Sequence, residues 1–484
     1  MAYNHGITIL ENPTSIIPPI QSSAGIQVVI GTAPVNMVAD PSSAVNKPIL
    51  ATDWKEATEK VGYSDDWEQY TLCQSMDATF RVFNVAPIIF INVLDPARHF
   101  TQVDDAVVPV KESEGLIKKT GILLDSISVK VASVGYQRDK DFSVGFDRDG
   151  FVVITILDET GDLASAAELD VSYKELDPAK VTENDIVGGY DVATGKYEGS
   201  EVIDQVYPRL NDVPGLILAP GWSHLPVVAA VIDAKSRFIN SCFNAMNVLD
   251  IDSGEVKNYQ DAPTWKSMNS YTSKDSIICW PKARVGNKVY WMSALVAAQT
   301  AFTDAINDDV PYVSPSNKRL PITGTLLADG TEVFLDQLQG NFLNGAGIVT
   351  AINMKGWRTW GNNTGAYPST SDIKDRFVPV RRMFNWWGNT FIQTYFDKVD
   401  DPTNLRLIES VVDSENIRGN GLQSQQQIAG AKIEFLQKDN PVTNLLNGRI
   451  QFLQKVAFFP PAEHIVNVLE FDPTILNNAL FGGD

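Results

Sequence analysis

Apolar positions along this chain follow two periods, and the changes between them divide it. "GIQVVIGTAP", residues 25–34, is a continuous apolar run between turn residues, the pattern of a buried strand. "TDWKEATEKVG" opens at a Thr/Asp cap and stops at Gly62, which predicts a short helix. "DDWEQYTLCQSMDATFRVF" predicts a longer one, and "APIIFINVLD" a second buried strand. Strand, helix, helix, strand indicates an α/β layer. From Thr101 the period drops towards two, in "DSISVKVASVGY", "FSVGFDRDGFVVITILD" and "GGYDVATGKYEGSEVI", with Asp-Gly and Thr-Gly turns between. These predict a small antiparallel insert, with a helix near "SAAELDVSYKEL".

The α/β rhythm resumes at Val213. "PGLILAPG", "NAMNVLDID" and "DSIICWP" read as strands, "LPVVAAVIDAKSRFINSC" and "YWMSALVAAQTAFTDAIND" as helices, the latter with Trp291, Leu295, Phe302 and Ile306 as its large apolar residues. The insert therefore interrupts one α/β domain. Past Gly356 a helix is expected from Asp401 to Gly419, with Leu405, Ile408 and Val412 as its apolar stripe. Three strand-like stretches follow: "GAKIEFLQ", "GRIQFLQKVAFF" and "EHIVNVLEF". The expected division is an arm and linker at 1–24, a core at 25–100 and 205–355, an insert at 101–204, a C-terminal domain at 356–464 and a terminal arm at 465–484.

Composition narrows the function classes. A 484-residue chain exceeds what one core usually supports, and 44% hydrophobic with 20% charged residues is ordinary globular matter. The net charge of −20 opposes both phosphate-backbone binding and docking on anionic lipid. Residues 101–204 carry 22 acidic and 10 basic side chains and no Trp or Cys, which marks a solvent-facing unit. Cys73, Cys242 and Cys279 are odd in number and far apart, so they read as structural thiols in a reducing compartment. With no signal-peptide pattern and no apolar run near ~20 residues, synthesis in the cytoplasm without an export signal is expected.

Candidate chemistry adds little. "GYDVATGKY", residues 189–197, has one residue too many between its glycines for a phosphate loop, and Tyr197 where Ser or Thr should bind magnesium, so a hairpin turn is the favoured reading. There is no G-x-S-x-G elbow. His224 follows a strand and could face a crevice at its carboxyl end, but adjacency to Ser223 creates no nucleophile–base pair, and a polar residue at a helix start explains it. His464 reads as a surface strand residue. No cofactor and no metal site are expected. The Arg- and Trp-rich stretches "MKGWRTWGNNTGAYP" and "RRMFNWWGN" read as core or protein–protein interface.

The two ends are informative. Gly6, Ile7, Thr8, Ile9, Leu10 and Glu11 form one short strand without a hairpin partner, followed by a proline-stiffened linker. The 13 residues 12–24 reach roughly 40 Å when extended. Ile465, Val466, Asn467, Val468, Leu469, Glu470 and Phe471 are also strand-like, close to the end of the sequence. Such segments either close a sheet within their own subunit or add to one in another copy, and the residues alone leave both open.

"HGITILE", "INMKGWRTWGNNT", "FVPVRRMFNWW" and "NGRIQFLQKVAFFPPAEHIVNVLEF" together resemble segments of contractile bacteriophage tail sheath proteins, a family that includes sheaths of phage-tail-like contractile bacteriocins. The resemblance implies an α/β core of subtilase-like layering, an inserted β domain, an α+β C-terminal domain and extended arms. It implies a structural and motor subunit, not an enzyme, in stacked hexameric rings around a tail tube. Baseplate and tail terminator proteins would be further partners, with no direct contact to nucleic acid or membrane. Gly6–Glu11 and Ile465–Phe471 would be strands donated between subunits. An acceptor hairpin would include Glu434, Phe435, Ile450 and Phe452, and Arg406 and Arg418 would be candidates for facing the tube. Another self-assembling shell or surface-layer protein is the second reading, and an α/β hydrolase the third.

Overall fold

The computed structural model describes residues 20–21, 23–148, 150–158 and 160–482. The predicted N-terminal strand, Gly6–Glu11, lies outside them.

The core is an eight-stranded sheet of β1 (Gln27–Gly31), β2 (Pro48–Ala51), β3 (Ile88–Asn92), β4 (Leu216–Leu218), β5 (Met246–Asp250), β6 (Ser276–Cys279), β7 (Ile348–Asn353) and β8 (Trp357–Trp360). Its spatial order is β8-β7-β6-β5-β4-β1-β3-β2. The six central strands are parallel, and β2 and β8 close the two edges antiparallel. Parallel strands covered on both faces read as unbroken apolar runs, and β1, β3 and β5 are buried at every residue. Alternate residues serve opposite faces. Val28, Ile30, Ile89, Ile217 and Ile278 pack on one side, and Val29, Phe90, Leu218, Val248 and Ile277 on the other.

Helix α1 (Trp54–Val61) follows its sequence signals: the Asp53 side chain accepts from the Glu56 amide at 2.8 Å, and Gly62 ends it at φ 82°. A Cβ on Gly62 would lie 2.3 Å from the Pro34 carbonyl oxygen. α2 (Pro226–Lys235) and α3 (Met292–Ala305) cover opposite faces of the sheet. α4 (Gln337–Asn344) lies against β7, and Gly340 permits the approach, since a Cβ there would sit 2.9 Å from Ile352. The long helix expected over 65–83 begins only at Leu72 and continues as a π-turn from Ala78 to Val82. Its opening donors are taken by the loop after β1: the Thr71 and Leu72 amides donate to the Thr32 side-chain and main-chain oxygens at 3.1 and 3.0 Å.

The insert is a seven-stranded sheet over Phe100–Leu176, with its own core of Val129, Phe142, Ile154, Leu169, Val171 and Tyr173. The helix predicted near Ser165–Leu176 is instead the strand Glu168–Leu176. Its inward residues Leu169, Val171 and Tyr173 recur every second position, and this period outweighs the helix-forming Ala and Glu before it. Gly189–Asp191 and Lys196–Glu198 form a hairpin, with Gly195 at φ 69° in its turn.

The C-terminal domain packs α5 (Val378–Tyr395) and α6 (Leu405–Ser424) with a two-stranded sheet of β9 (Gly430–Phe435) and β10 (Phe452–Ala457). α6 starts at Asn404, whose side chain accepts from the Leu407 amide at 2.9 Å, and it runs through Gly419. Gly419 is therefore no stop. It faces β9, where a Cβ would meet that of Ala431 at 3.0 Å. The inward face is Val411, Glu415 and Gly419, not the predicted stripe; Leu405 is 68% exposed. Residues 458–472, which include His464 and the strand predicted there, form no strand with any described residue. A last helix, α7 (Pro473–Phe481), is capped by Asp472, which accepts from the Thr474 amide at 2.8 Å.

Candidate functional site: the linking ends and the hairpin edge

In a doubly wound sheet the ligand crevice opens where strand order reverses. Here that point lies between β1 and β4, and it is filled. His224 stacks on Trp291 at 4.8 Å, and burial holds its imidazole below the usual pKa. Lys282 sits 4.0 Å above the same indole, and Trp222 donates to the Thr71 hydroxyl at 3.2 Å. Ser223 turns away from His224 and donates to Asp250 at 3.3 Å. Asp250 also accepts from the Ser293 amide at 2.9 Å and from the Ser293 hydroxyl, and burial pushes it up to about 6. The Ser223 hydroxyl is thus held by a buried carboxylate that also accepts two hydrogen bonds from Ser293, and not by His224. Among the described residues no cluster of His, Cys, Asp or Glu could hold a metal ion, and no helix is long and apolar enough to cross a membrane.

Polar contacts root the two ends of the described chain. At the N-terminal root, the Ser23 and Ala24 amides both donate to Asp309 at 2.9 Å, beside a cavity of about 390 Å³. Arg382 on α5 reaches the Ala24 carbonyl at 3.4 Å and forms a two-point pair with Asp304 on α3, one contact at 2.7 Å. At the C-terminal root, Arg376 donates to Glu463 at 2.6 Å where residues 461–465 line a cavity of about 860 Å³. Beyond it, Ile465–Phe471 touch almost nothing: Ile465, Val468 and Leu469 are 83%, 84% and 89% exposed.

The expected acceptor residues are close together. Glu434 pairs with Leu453 and Phe435 with Phe452 across the hairpin, the two rings 5.8 Å apart. Ile450 lies before β10 and outside the ladder, because the Gln451 amide is taken by the Asn440 side chain at 2.7 Å. The two edges of this sheet differ. Asn416 on α6 accepts from the Ile433 amide at 3.0 Å and donates to its carbonyl at 3.2 Å, so one side chain replaces a neighbouring strand on β9. With Ile433 facing outward, the antiparallel register turns the backbone of Phe452, Gln454 and Val456 to the opposite edge. Among the described residues that edge of β10 has no strand partner.

Of the two arginines proposed to face a tube, Arg406 is exposed. Arg418 is partly buried, pairs with buried Glu415 at 3.0 Å and lies 4.1 Å from the Trp387 ring. Asn416, Asp309 and the Arg382–Asp304 pair were not anticipated. Asn416 left one trace, as a poor helix former inside a well-signalled helix. The others join positions far apart in sequence and left none.

The chain thus combines a mixed α/β core, interrupted by a β insert, with a domain of two helices and a hairpin and with an exposed C-terminal segment. No family model matches the chain. The tail sheath protein of Burkholderia phage BcepMu is 26% identical over 482 residues, covering 96% of this chain and 95% of that protein. The tail sheath protein of Escherichia phage P2 is 24% identical over 328 residues, covering 65% and 74%. Among solved structures, the sheath of the PVC extracellular contractile injection system in its contracted state matches with a TM-score of 0.57 at 14% identity, over 98% of this chain and 99% of that one. The contracted helical sheath of the anti-feeding prophage matches at 0.55 and 13%, over 96% and 99%. Over nearly its whole length the chain is similar to contractile tail sheath proteins, and these likenesses support the role of a sheath subunit.

Proposed function

We propose that the subunits polymerise by strand donation. The open edge of β10, together with an exposed seven-residue apolar segment at Ile465–Phe471 in the same chain, supports this reading. A donated strand would satisfy the outward backbone groups of Phe452, Gln454 and Val456, and Gly6–Glu11 would be the second donor. Each copy gives in one direction and accepts from the other, a heterologous contact that builds rings or helices. The rings would be hexameric and stacked around a tail tube, bounded by baseplate and terminator proteins. Contraction would be a switch between two packings of one interface while the arms hold. The particle would be a virion tail or a contractile bacteriocin, assembled in the bacterial cytoplasm without contact to nucleic acid or lipid.

The filled crevice at His224 favours a structural role without catalysis. We read the core as subtilase-like in layering and place the domain limits at 24, 100, 204, 355 and 464. Electron microscopy of the purified protein tests the proposal. Full-length chains should form long tubes, and deletion of residues 1–20 or 465–484 should leave soluble, folded monomers. Normal tubes from both truncations would refute strand donation, and closed particles or sheets from the full chain would favour a shell.

A further inference from the structure

Helix α4 is apolar on two sides. Gly340 and Leu343 face β7, yet Phe334, just before the helix, and Leu338 and Phe342 on it are 69%, 78% and 48% exposed. On the helix, Leu338 and Phe342 are four residues apart and so lie along one outward stripe, with Phe334 exposed before it. A helix that is apolar on both faces is normally covered on both. α7 presents the complementary case. Ile475, Leu476 and Leu480 are 68%, 49% and 66% exposed, and no residue from 462 to 482 is buried, so none of the described residues covers α7.

We infer that α7 of one subunit docks on the α4 stripe of a second copy. This rests on the sheath reading and assigns the terminal helix a receptor. Charge singles out the pair. The chain carries −20, so copies meet most easily through charge-poor patches. Neither Gln337–Asn344 nor Pro473–Phe481 contains a charged residue. Position agrees with charge: Gln337 and Asn341 of α4 line the cavity that Pro461–Ile465 cross, so the arm leaves each subunit beside the stripe that would receive a neighbour's arm. The eight residues 465–472 span about 26 Å when extended, enough to carry the helix past its own subunit. Strand and helix would then form one continuous connector, the strand held by backbone pairing and the helix by apolar contact.

Disulfide trapping between two proteins that each carry one accessible cysteine beside the buried Cys73 and Cys279 tests this. Full-length Phe342→Cys and Leu480→Cys, each with Cys242→Ser, are mixed, assembled and oxidised. The expected result is a linked heterodimer at least ten-fold above that from Leu480→Cys mixed with Val134→Cys on the insert. A yield at the control level in samples that form tubes overturns the docking and leaves the sheath reading intact. A chain carrying both cysteines that closes into a linked monomer overturns it in favour of an own-chain contact. Absence of tubes from the unmodified protein overturns the sheath reading and the docking with it. Leu338→Asp/Phe342→Asp, with folding checked by circular dichroism, should lose polymer mass at least ten-fold; unchanged polymer from a folded variant also overturns the docking.

Discussion

Replacing Arg382 by Met should unlock the C-terminal domain from the core. Arg382 lies on α5 and Asp304 on α3, and their side chains are 3% and 1% exposed. The guanidinium meets both carboxylate oxygens, with one contact at 2.7 Å, and has a further contact to the Ala24 carbonyl. Methionine fills much of the same volume, so the effect is mainly electrostatic: a buried carboxylate loses its counter-charge. Breaking one side of a buried pair costs about 3–5 kcal/mol, whereas replacing both partners by apolar residues is often close to neutral. Arg382→Met/Asp304→Leu should therefore recover most of the loss. Burial already pushes the Asp304 carboxyl up against the pull of Arg382. Without Arg382 that push is unopposed. The folded-state pKa then lies above the unfolded value, and the contribution to stability is full below the unfolded pKa and lost as pH rises. The penalty of Arg382→Met should thus be larger at pH 7 than at pH 5. Urea unfolding in the background of the non-polymerising 1–20 deletion, followed by Trp fluorescence, measures the parent and both variants. A single-variant loss under ~1 kcal/mol, or a double variant as unstable as the single, would refute the reasoning.

Three further outcomes follow from other contacts. Asp250, raised by burial from 3.8 to about 6, should make the core less stable as pH rises across that window, by up to roughly 3 kcal/mol; Asp250→Asn should flatten the profile in melting temperature against pH. Asn416→Leu removes the side chain that closes the Ile433 edge and should cost about 1–3 kcal/mol, read as faster amide hydrogen exchange at Ile433 with β5 and β6 unchanged. Gly419→Ala drives a Cβ to 3.0 Å from Ala431 and should lower the stability of the C-terminal domain by about 1–3 kcal/mol and slow tube formation; unaltered assembly kinetics would contradict the close α6–β9 packing.

Local pattern settled the elements whose environment is uniform. The strands β1, β3 and β5 are buried on both faces, so an unbroken apolar run announces them, and α1 carries its own cap and stop. The near-phosphate loop at 189–197 was legible as a hairpin for the same reason, since turn chemistry is local. Where one residue type serves two purposes, sequence misled. Gly419 has the composition of a helix stop and the function of a close approach to Ala431, a distinction made only by β9 lying across α6. Leu405 has helical spacing but no neighbour, whereas Glu415 and Arg418 turn inward because Gln454 and Trp387 wait there. The terminal arm shows the division most plainly. Its residues favour a strand, but a strand exists only with a partner's backbone, and within the single chain Ile465–Phe471 have none among the described residues. Sequence determined that the segment can pair. The fold decided which edge is closed, by Asn416 on β9, and which edge of β10 has no strand partner among the described residues.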